Sequence, residues 1–214
     1  YYFNIMKNII VFCAHSDDEL IGLGGTILKY SESYNIIKVI FSSGELSSPH
    51  LKESHIIDER IKETEKISKK AGIKKNIYFH LMDRKLKRFS DDEGVINQTK
   101  EVIERYKPIK IFTLTSIDPH SDHRAVNKIT MNALKELNYK GEIYGYEVWN
   151  VLKLNAPAIY EDISKYMDKK IQLMKEFESQ WIYIYTLIIP TYIRAFINGR
   201  KIKVKYAERF FKLQ

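Results

Sequence analysis

Cysteine is nearly absent from this sequence of 214 residues, and so is any apolar run long enough to span a membrane. The single cysteine, Cys13, has no partner for a disulfide within the chain, and its apolar neighbours predict a small buried side chain. No run reaches the roughly 18 apolar residues that a membrane-spanning helix needs, and no secretory signal is recognisable. These absences argue against a disulfide-stabilised secreted scaffold and against a membrane span, and they favour a cytoplasmic protein.

The composition is that of an ordinary globular protein, with 44% hydrophobic and 29% charged residues. No internal repeat or low-complexity linker divides the chain, so we expect one domain over residues 1–214. The first five residues, which precede Met6, have two interpretations. They belong to the domain, or they are foreign residues ahead of a natural start at Met6.

The net charge of +8 is concentrated near residue 214. Between Arg194 and Gln214, seven basic residues stand against one acid, Glu208. Such a segment is typical either of a solvated polar surface or of contact with an anionic partner, such as nucleic acid, anionic lipid or an acidic substrate. We expect a solvated surface and no nucleic-acid partner.

Short apolar runs rich in β-branched residues alternate with amphipathic segments along most of the chain. They predict strands over residues 8–14, 36–41, 76–79, 109–114 and 143–148, and helices over 22–33, 53–71, 92–106, 122–137 and 161–177. We also expect a polar loop over 42–52, an apolar stretch broken by Pro190 over 181–197, and an edge strand over 201–206. The alternation predicts an α/β fold: a doubly wound, Rossmann-like parallel sheet with helices on both faces.

Two clusters of polar residues follow the first and fourth predicted strands. The first cluster begins at His15, and the second is Asp118-Pro-His-Ser-Asp-His-Arg124. In the common strand order 3-2-1-4-5 these two strands are neighbours, and ligands bind at their carboxyl ends. We therefore expect one pocket that contains six polar residues: His15, Asp17, Asp18, His120, Asp122 and His123.

The residue types in this pocket favour a catalytic metal. Neighbouring carboxylates repel one another unless a cation or a shared proton compensates, and two histidines with one carboxylate leave an open position that is typical of catalytic zinc. Zinc lowers the pKa of a bound water to about 7, and a carboxylate that is not a ligand acts as general base. Asp17, next to the candidate ligand Asp18, is the candidate base, and His120 is the candidate that stabilises an oxyanion.

Gly22-Leu-Gly-Gly25 follows the first cluster but does not form a dinucleotide-binding fingerprint. The third glycine of that fingerprint is replaced by Ile27, and the preceding acids would repel a pyrophosphate. Close helix packing is the better explanation of these glycines.

With these motifs, the sequence resembles the PIG-L/LmbE-like family of zinc-dependent N-acetylglucosaminyl deacetylases. The family's A-H-P-D-D-E and G-x-G-G patterns stand here at residues 14–19 and 22–25, and its later H-P-D-H pattern stands at 120–123. Lys205-Tyr-Ala-Glu-Arg-Phe210 resembles the family's closing K-Y-A-E-x-F. The similarity therefore extends over the whole chain.

The resemblance implies a role for each matching residue. The zinc ligands would be His15, Asp18 and His123. Asp17 would be the general base and then the acid, and His120, oriented by Asp122, would stabilise the oxyanion. Arg60, in the family's R-x-x-E helix with Glu63, and Asp83 would hold sugar hydroxyls. Alternatives stay open for these two, because Arg60 also fits a surface ion pair with Glu63 or Glu59, and Asp83 also fits a loop cap.

Four positions depart from the family's pattern. Ser16 and Ser121 replace prolines, Asp118 stands where some members have a tyrosine that assists the oxyanion hole, and Glu178 replaces a histidine ahead of a Ser-Gln pair. No chemical group of the proposed reaction is lost at the two serines. The tyrosine-assisted oxyanion hole is not expected here.

The metal-site residues together with the family resemblance imply a Zn²⁺-dependent hydrolase that removes acetyl from an N-acetylglucosamine-containing small molecule, such as GlcNAc-malate, GlcNAc-inositol or a chito-oligosaccharide. One alternative is a protein that binds nucleic acid or an anionic surface through its basic C-terminal tail and retains a vestigial metal site. An iron oxygenase has the right ligand types, but its antiparallel β-helix contradicts the predicted alternation. The choice between Zn²⁺ and Fe²⁺, the aglycone and a homo-oligomeric state stay open.

Overall fold

A computed structural model describes residues 6–42, 44, 53–149 and 156–214. The two interpretations of residues 1–5, and most of the polar loop expected over 42–52, fall outside this part of the chain. Among the helices described, none combines the length and the apolar character that would let it cross a membrane.

Strands and helices alternate over most of the described chain. The strands are β1 (Asn8–Cys13), β2 (Asn35–Ser42), β3 (Ile73–Leu81), β4 (Lys110–Leu114), β5 (Glu142–Tyr146), β6 (Ala158–Asp162) and β7 (Ala207–Lys212). The α-helices are α1 (Asp18–Tyr30), α2 (Glu53–Ala71), α3 (Glu93–Tyr106), α4 (Ser121–Glu136), α5 (Met167–Met174) and α6 (Trp181–Lys201). Short 3₁₀ helices lie at Leu86–Phe89 and Glu178–Gln180.

The strands form one sheet in the order β3-β2-β1-β4-β5-β7-β6. Its first five strands are parallel and confirm the expected order 3-2-1-4-5, while β7 pairs antiparallel with both β5 and β6. The doubly wound α/β fold is confirmed. Strand β1 lies at the centre, and its residues 9–13 are buried, as expected for a parallel strand covered by helices on both faces. Its single cysteine is buried and free, as predicted.

Helix α1 begins at Asp18, four residues earlier than predicted. The acids that suggested a loop instead occupy its first turn, where negative charge is stabilised by the exposed N–H groups. The glycines allow close packing, as expected: a Cβ atom on Gly22 would overlap the ring of Tyr146, and one on Gly25 would lie 2.7 Å from Ile163.

The backbone of α1 departs from helical angles at Leu23, which kinks the helix. The amides of Gly25 and Thr26 just beyond the kink donate to the carboxylate of Glu208 in β7, at 3.0 and 2.7 Å. Glu208 thus supplies a charged acceptor to the N–H groups just beyond the kink. Lys170, buried in α5, neutralises Glu208 at 2.7 Å.

Three expectations for the segment after residue 160 are wrong. The helix expected over 161–177 is replaced by β6 and the shorter α5, because residues 158–162 pair with β7 and Asp162 then bonds Ser164 in a tight turn. The edge strand expected over 201–206 is the end of α6 and a turn in which Lys203 has a positive φ of 61°. Pro190 does not break the apolar stretch, since α6 continues through it.

The basic residues from Arg194 onward do not form a separate tail. They belong to the end of α6, a turn and the interior strand β7. Two of them are tied into the fold: Arg194 donates to the carbonyl groups of Val148 and Ile21, and Arg209 forms an ion pair with Glu147.

Candidate metal centre and active-site cleft

A cleft of about 230 Å³ opens at the carboxyl ends of β1 and β4. Six residues proposed from the sequence line it: His15, Asp17, Asp18, Arg60, Asp83 and His120. The other two, Asp122 and His123, lie behind this surface and are completely buried at the start of α4. The fold therefore brings the two polar clusters together, as the strand order predicted.

His15, Asp18 and His123 form a group whose ligand atoms all lie within 4.8 Å of one another. One carboxylate oxygen of Asp18 is 3.1 Å from His123 Nε2, and the other is 3.9 Å from His15 Nδ1. A tetrahedral zinc ion with bonds of about 2.0 Å would separate its ligands by about 3.3 Å. The two imidazoles and the carboxylate therefore fit a zinc ion.

The backbone holds Asp18 in this position. Its Oδ2 accepts hydrogen bonds from the amides of Ala14 and His15, both at 2.9 Å. Because these two amides belong to the turn between β1 and α1, the carboxylate and the histidine are fixed to the same short segment. Oδ1 remains directed at His123.

Asp118 was not predicted to support the metal group, yet it contacts both histidines of the second cluster. Its Oδ1 lies 3.0 Å from His123 Nδ1 and accepts the amide of His120 at 2.9 Å. A carboxylate on the outer nitrogen of a ligating histidine fixes the tautomer and the ring orientation. Asp118 stands two residues before His120, a position that could have indicated this contact. From the sequence we noted only that some family members have a tyrosine there.

His15 has carboxylates on its other ring nitrogen. Nε2 lies 3.1 Å from Asp83 Oδ1 and 3.7 Å from Asp122 Oδ2. Asp83 Oδ1 also accepts the amide of Arg84 at 2.8 Å, so the loop-cap alternative is correct in part. His15, Asp83 and Asp122 form a second group with metal-ligating atoms within 4.8 Å.

These contacts set the charge of the group. Burial alone would lower the pKa of His15, but Asp122 and Asp83 outweigh it and raise that pKa to about 10. Burial is likewise outweighed at His123, where Asp18 and Asp118 raise the pKa to about 9. Burial would raise the pKa of Asp18, yet the two histidines hold it well below its ordinary value. The cluster thus holds protons that a metal ion would displace.

His120 caps the N-terminus of α4. Its Nδ1 accepts the amide of Asp122 at 3.3 Å, so a neutral ring carries its proton on Nε2 as a donor. Burial, together with the nearby His123 and His15, lowers the pKa of His120 and favours the neutral ring. Asp122 therefore contacts His120 through its backbone amide rather than through its carboxylate, which lies beside His15.

Asp17 is half-buried at the edge of the cleft, immediately before α1. Its carbonyl oxygen accepts the amides of Leu20 and Ile21, at 3.1 and 3.2 Å, which fixes its backbone at the start of the helix. Its neighbour Asp18 faces the metal group while Asp17 lines the cleft, as the candidate roles of ligand and base require.

Arg60 in α2 is buried, so its interpretation as a surface ion pair is wrong. Its guanidinium lines the cleft and donates to the carbonyl of Gly44 at 2.7 Å. Glu63, one turn along α2, accepts the amide and the hydroxyl of Ser179, at 2.9 and 2.5 Å. Helix α2 therefore positions both Arg60 and the 3₁₀ helix that carries the cleft residue Gln180.

Glu178, which stands where many family members have a histidine, is exposed.

A buried ion pair lies beneath the turn that carries His15 and Asp17. Lys38 of β2 is fully buried, and its Nζ is 2.5 Å from Glu19 Oε1 and 2.6 Å from the carbonyl oxygen of Ser16. Because Glu19 is the last residue of the first motif, Lys38 joins the motif's side chain to its backbone. Lys38 was not identified from the sequence, because lysine side chains are mostly exposed in proteins.

Four cleft residues had no signal in the sequence: Ile21, Arg84, Val148 and Trp149. They come from elements far apart in the chain, and no spacing relates them. The basic residues of the segment 194–214 are not among those that line the cleft in the described part of the chain. Their charge therefore gives no support to an acidic substrate.

Comparisons with known proteins agree with this geometry. A family model described as PIG-L, GlcNAc-PI de-N-acetylase, matches residues 10–134. Diacetylchitobiose deacetylase of Thermococcus kodakarensis is 24% identical, over 96% of this chain and 83% of its own length.

Solved structures with a similar fold include enzymes of two kinds. N,N'-diacetylchitobiose deacetylase from Pyrococcus horikoshii has a TM-score of 0.81 at 23% identity, over 99% of this chain and 85% of that one. A 4-carboxy-2-hydroxymuconate hydratase, GalB from Pseudomonas putida, has a TM-score of 0.81 at 20% identity, over 98% and 97%. At these identities the structures show a shared fold.

Proposed function

Because the chain belongs to the PIG-L family and is an N-deacetylase, we propose that it is a Zn²⁺-dependent hydrolase acting on the 2-acetamido group of an N-acetylglucosamine-containing small molecule. The products are a free amine and acetate. One observation carries the proposal: His15, Asp18 and His123 form a compact metal-ligand group, and Asp17 and His120 line the cleft beside it.

In this proposal His15, Asp18 and His123 hold the metal. When bound, zinc polarises the amide carbonyl and makes a water nucleophilic at neutral pH. Asp17 takes the proton of the attacking water and gives it to the leaving nitrogen. The Nε2–H of His120 donates to the oxygen that becomes negative in the transition state. The buried Asp118 contacts His123 and the amide of Asp122 donates to His120, so both histidines keep their orientation.

Arg60 and Asp83 are the proposed contacts to the sugar hydroxyls, since both line the cleft. Val148, Trp149 and Tyr183 form a more apolar wall of the same cleft. An aromatic side chain that packs on a sugar ring would select glycosides over free acetamides. The proposed substrates therefore remain GlcNAc-malate, GlcNAc-inositol and chito-oligosaccharides.

Acetate release from a panel of N-acetylglucosaminides tests the proposal. We expect release that a chelator abolishes and added zinc restores, and the ranking across the panel identifies the aglycone. Release that is insensitive to the chelator would contradict the metal mechanism. Bound zinc without release from any N-acetylglucosaminide would contradict the substrate class.

Asp17→Asn tests the general base. We expect kcat to fall by about 10² to 10⁴ while zinc still binds in a 1:1 ratio, because the change removes a proton acceptor and leaves the three ligands. Asp91→Asn is the matched control, because Asp91 is exposed and pairs with Lys128 on the surface. Full activity of Asp17→Asn would assign the base to another residue.

A further inference from the structure

Helix α6 is apolar on two opposite faces. One face packs against β6 and β7 and buries Ile184, Leu187 and Ala195. The other carries six large apolar side chains at helical spacing, all exposed: Ile182, Tyr185, Ile189, Ile193, Phe196 and Ile197. We call these six residues the α6 stripe. Ile189 and Ile193, at its centre, are 68% and 54% exposed.

Exposed basic residues follow the α6 stripe along the chain. Arg200 lies on the same line of the helix, four residues after Phe196, and Lys201, Lys203 and Lys205 follow it, all exposed. No aspartate or glutamate occurs between residues 179 and 207. The exposed surface of this segment is therefore apolar over about 24 Å of helix and basic at its end.

This combination fits an anionic bilayer surface. A helix that lies in the plane of a membrane buries an apolar face among the acyl chains and places basic side chains against anionic headgroups. Trp181, exposed beside the stripe, is of a residue type that is enriched at the level of the headgroups. We propose that the protein docks on anionic membranes through the α6 stripe, lying on the surface without spanning it.

The charge of the segment favours lipid over a second copy of the chain. An isologous contact made through this segment would offer no acid to the basic residues at its end, since residues 179–207 contain none. Phosphate headgroups supply that complement. The six apolar side chains, in turn, favour lipid over a purely electrostatic contact with another polyanion.

Vesicle cosedimentation tests this docking. The 214-residue protein is mixed with vesicles of phosphatidylcholine alone and with vesicles that contain phosphatidylglycerol, at low and high salt. We expect binding to the anionic vesicles, weakened by salt and by omission of phosphatidylglycerol. If the protein does not bind the vesicles that contain phosphatidylglycerol, the proposal is overturned.

Paired variants separate the apolar and the charged contributions. Ile189→Gln with Ile193→Gln should weaken binding about tenfold or more, because it removes two side chains that enter the bilayer. Lys201→Glu with Lys203→Glu should also weaken it. Lys74→Glu with Lys75→Glu is the matched control: both lysines are exposed on β3, the opposite edge strand of the sheet. Circular dichroism checks that each variant is folded.

Two results would replace this proposal. Binding that responds to the lysine variant but not to the isoleucine variant would show a charge contact without insertion of the stripe. A dimer detected by sedimentation velocity, dissociated by the isoleucine variant and unable to bind vesicles, would assign the stripe to an interface between two copies.

Discussion

At the scale of single residues, Lys38 is a charged side chain inside the sheet. It is completely buried, and it bonds both Glu19 and the carbonyl oxygen of Ser16 beneath the metal-binding turn. Burial raises the pKa of Glu19 to about 7 even though Lys38 opposes that rise. The ion pair is therefore held against a large desolvation cost.

Lys38→Met should reduce the free energy of unfolding by about 3–5 kcal/mol, since it leaves Glu19 buried without a counter-charge. The double variant Lys38→Met with Glu19→Gln should recover much of this loss. Urea unfolding measures both, and zinc titration shows whether the turn still presents His15. If the double variant is less stable than the single one, the pair contributes more than mutual neutralisation.

The charged histidines predict a pH dependence for the metal-free protein. The pKa values of His15 and His123, about 10 and about 9, exceed the ordinary value of 6.5, so their contribution to stability is complete below pH 6.5 and is lost as the pH rises through 9 and 10. Urea unfolding of the protein after removal of metal by a chelator, at pH 6.5 and pH 9.5, measures this loss of stability. His123→Asn should reduce it, and an equal loss in that variant would contradict the assignment.

At the scale of the elements, the packing of α1 depends on two glycines. Gly25→Ala should destabilise the protein by about 1–3 kcal/mol, because its Cβ would lie 2.7 Å from Ile163. Gly94→Ala in α3 is the control, since its Cβ would approach only the terminal oxygen of Asp92, at 3.1 Å. There we expect no loss, or a gain of up to about 1 kcal/mol. Thermal unfolding distinguishes the two, and equal effects would contradict the close packing.

How much of the fold the sequence predicts depends on where the partners of each element lie. Helix α2 and the central strands were predicted closely because their periodicity is local. The strand over 158–162 was missed, and its last two residues were assigned to a helix, because its conformation depends on pairing with β7, which lies about 50 residues later. The start of α1 was missed because its first turn is stabilised by charge rather than by apolar spacing.

The residues of the candidate site also fall into two groups, those that the sequence identified and those that only the structure revealed. Its polar residues were identified because two motifs follow two strands that the fold makes neighbours. Asp118, Lys38 and Trp149 act through contacts that only the tertiary structure creates. Their residue types alone did not indicate a function.

At the scale of the whole molecule, the proposed metal joins two segments more than 100 residues apart, at His15 and His123. Zinc at 100 times its Kd should raise the free energy of unfolding by about 2.7 kcal/mol, because it binds only the folded arrangement. His123→Asn should abolish the increase. His80→Asn should retain it, because His80 is exposed on β3 and stacks on Tyr78. Thermal unfolding with added zinc measures all three.

The bond between Glu208 and the kink of α1 spans 183 residues. During synthesis the ribosome releases every proposed metal ligand long before it releases the carboxylate that completes α1. A chain that ends before β7 would contain every proposed metal ligand, but the amides of Gly25 and Thr26 in α1 would lack their carboxylate acceptor. Helix α1 can therefore reach its observed hydrogen bonding only after β7 has been added to the sheet.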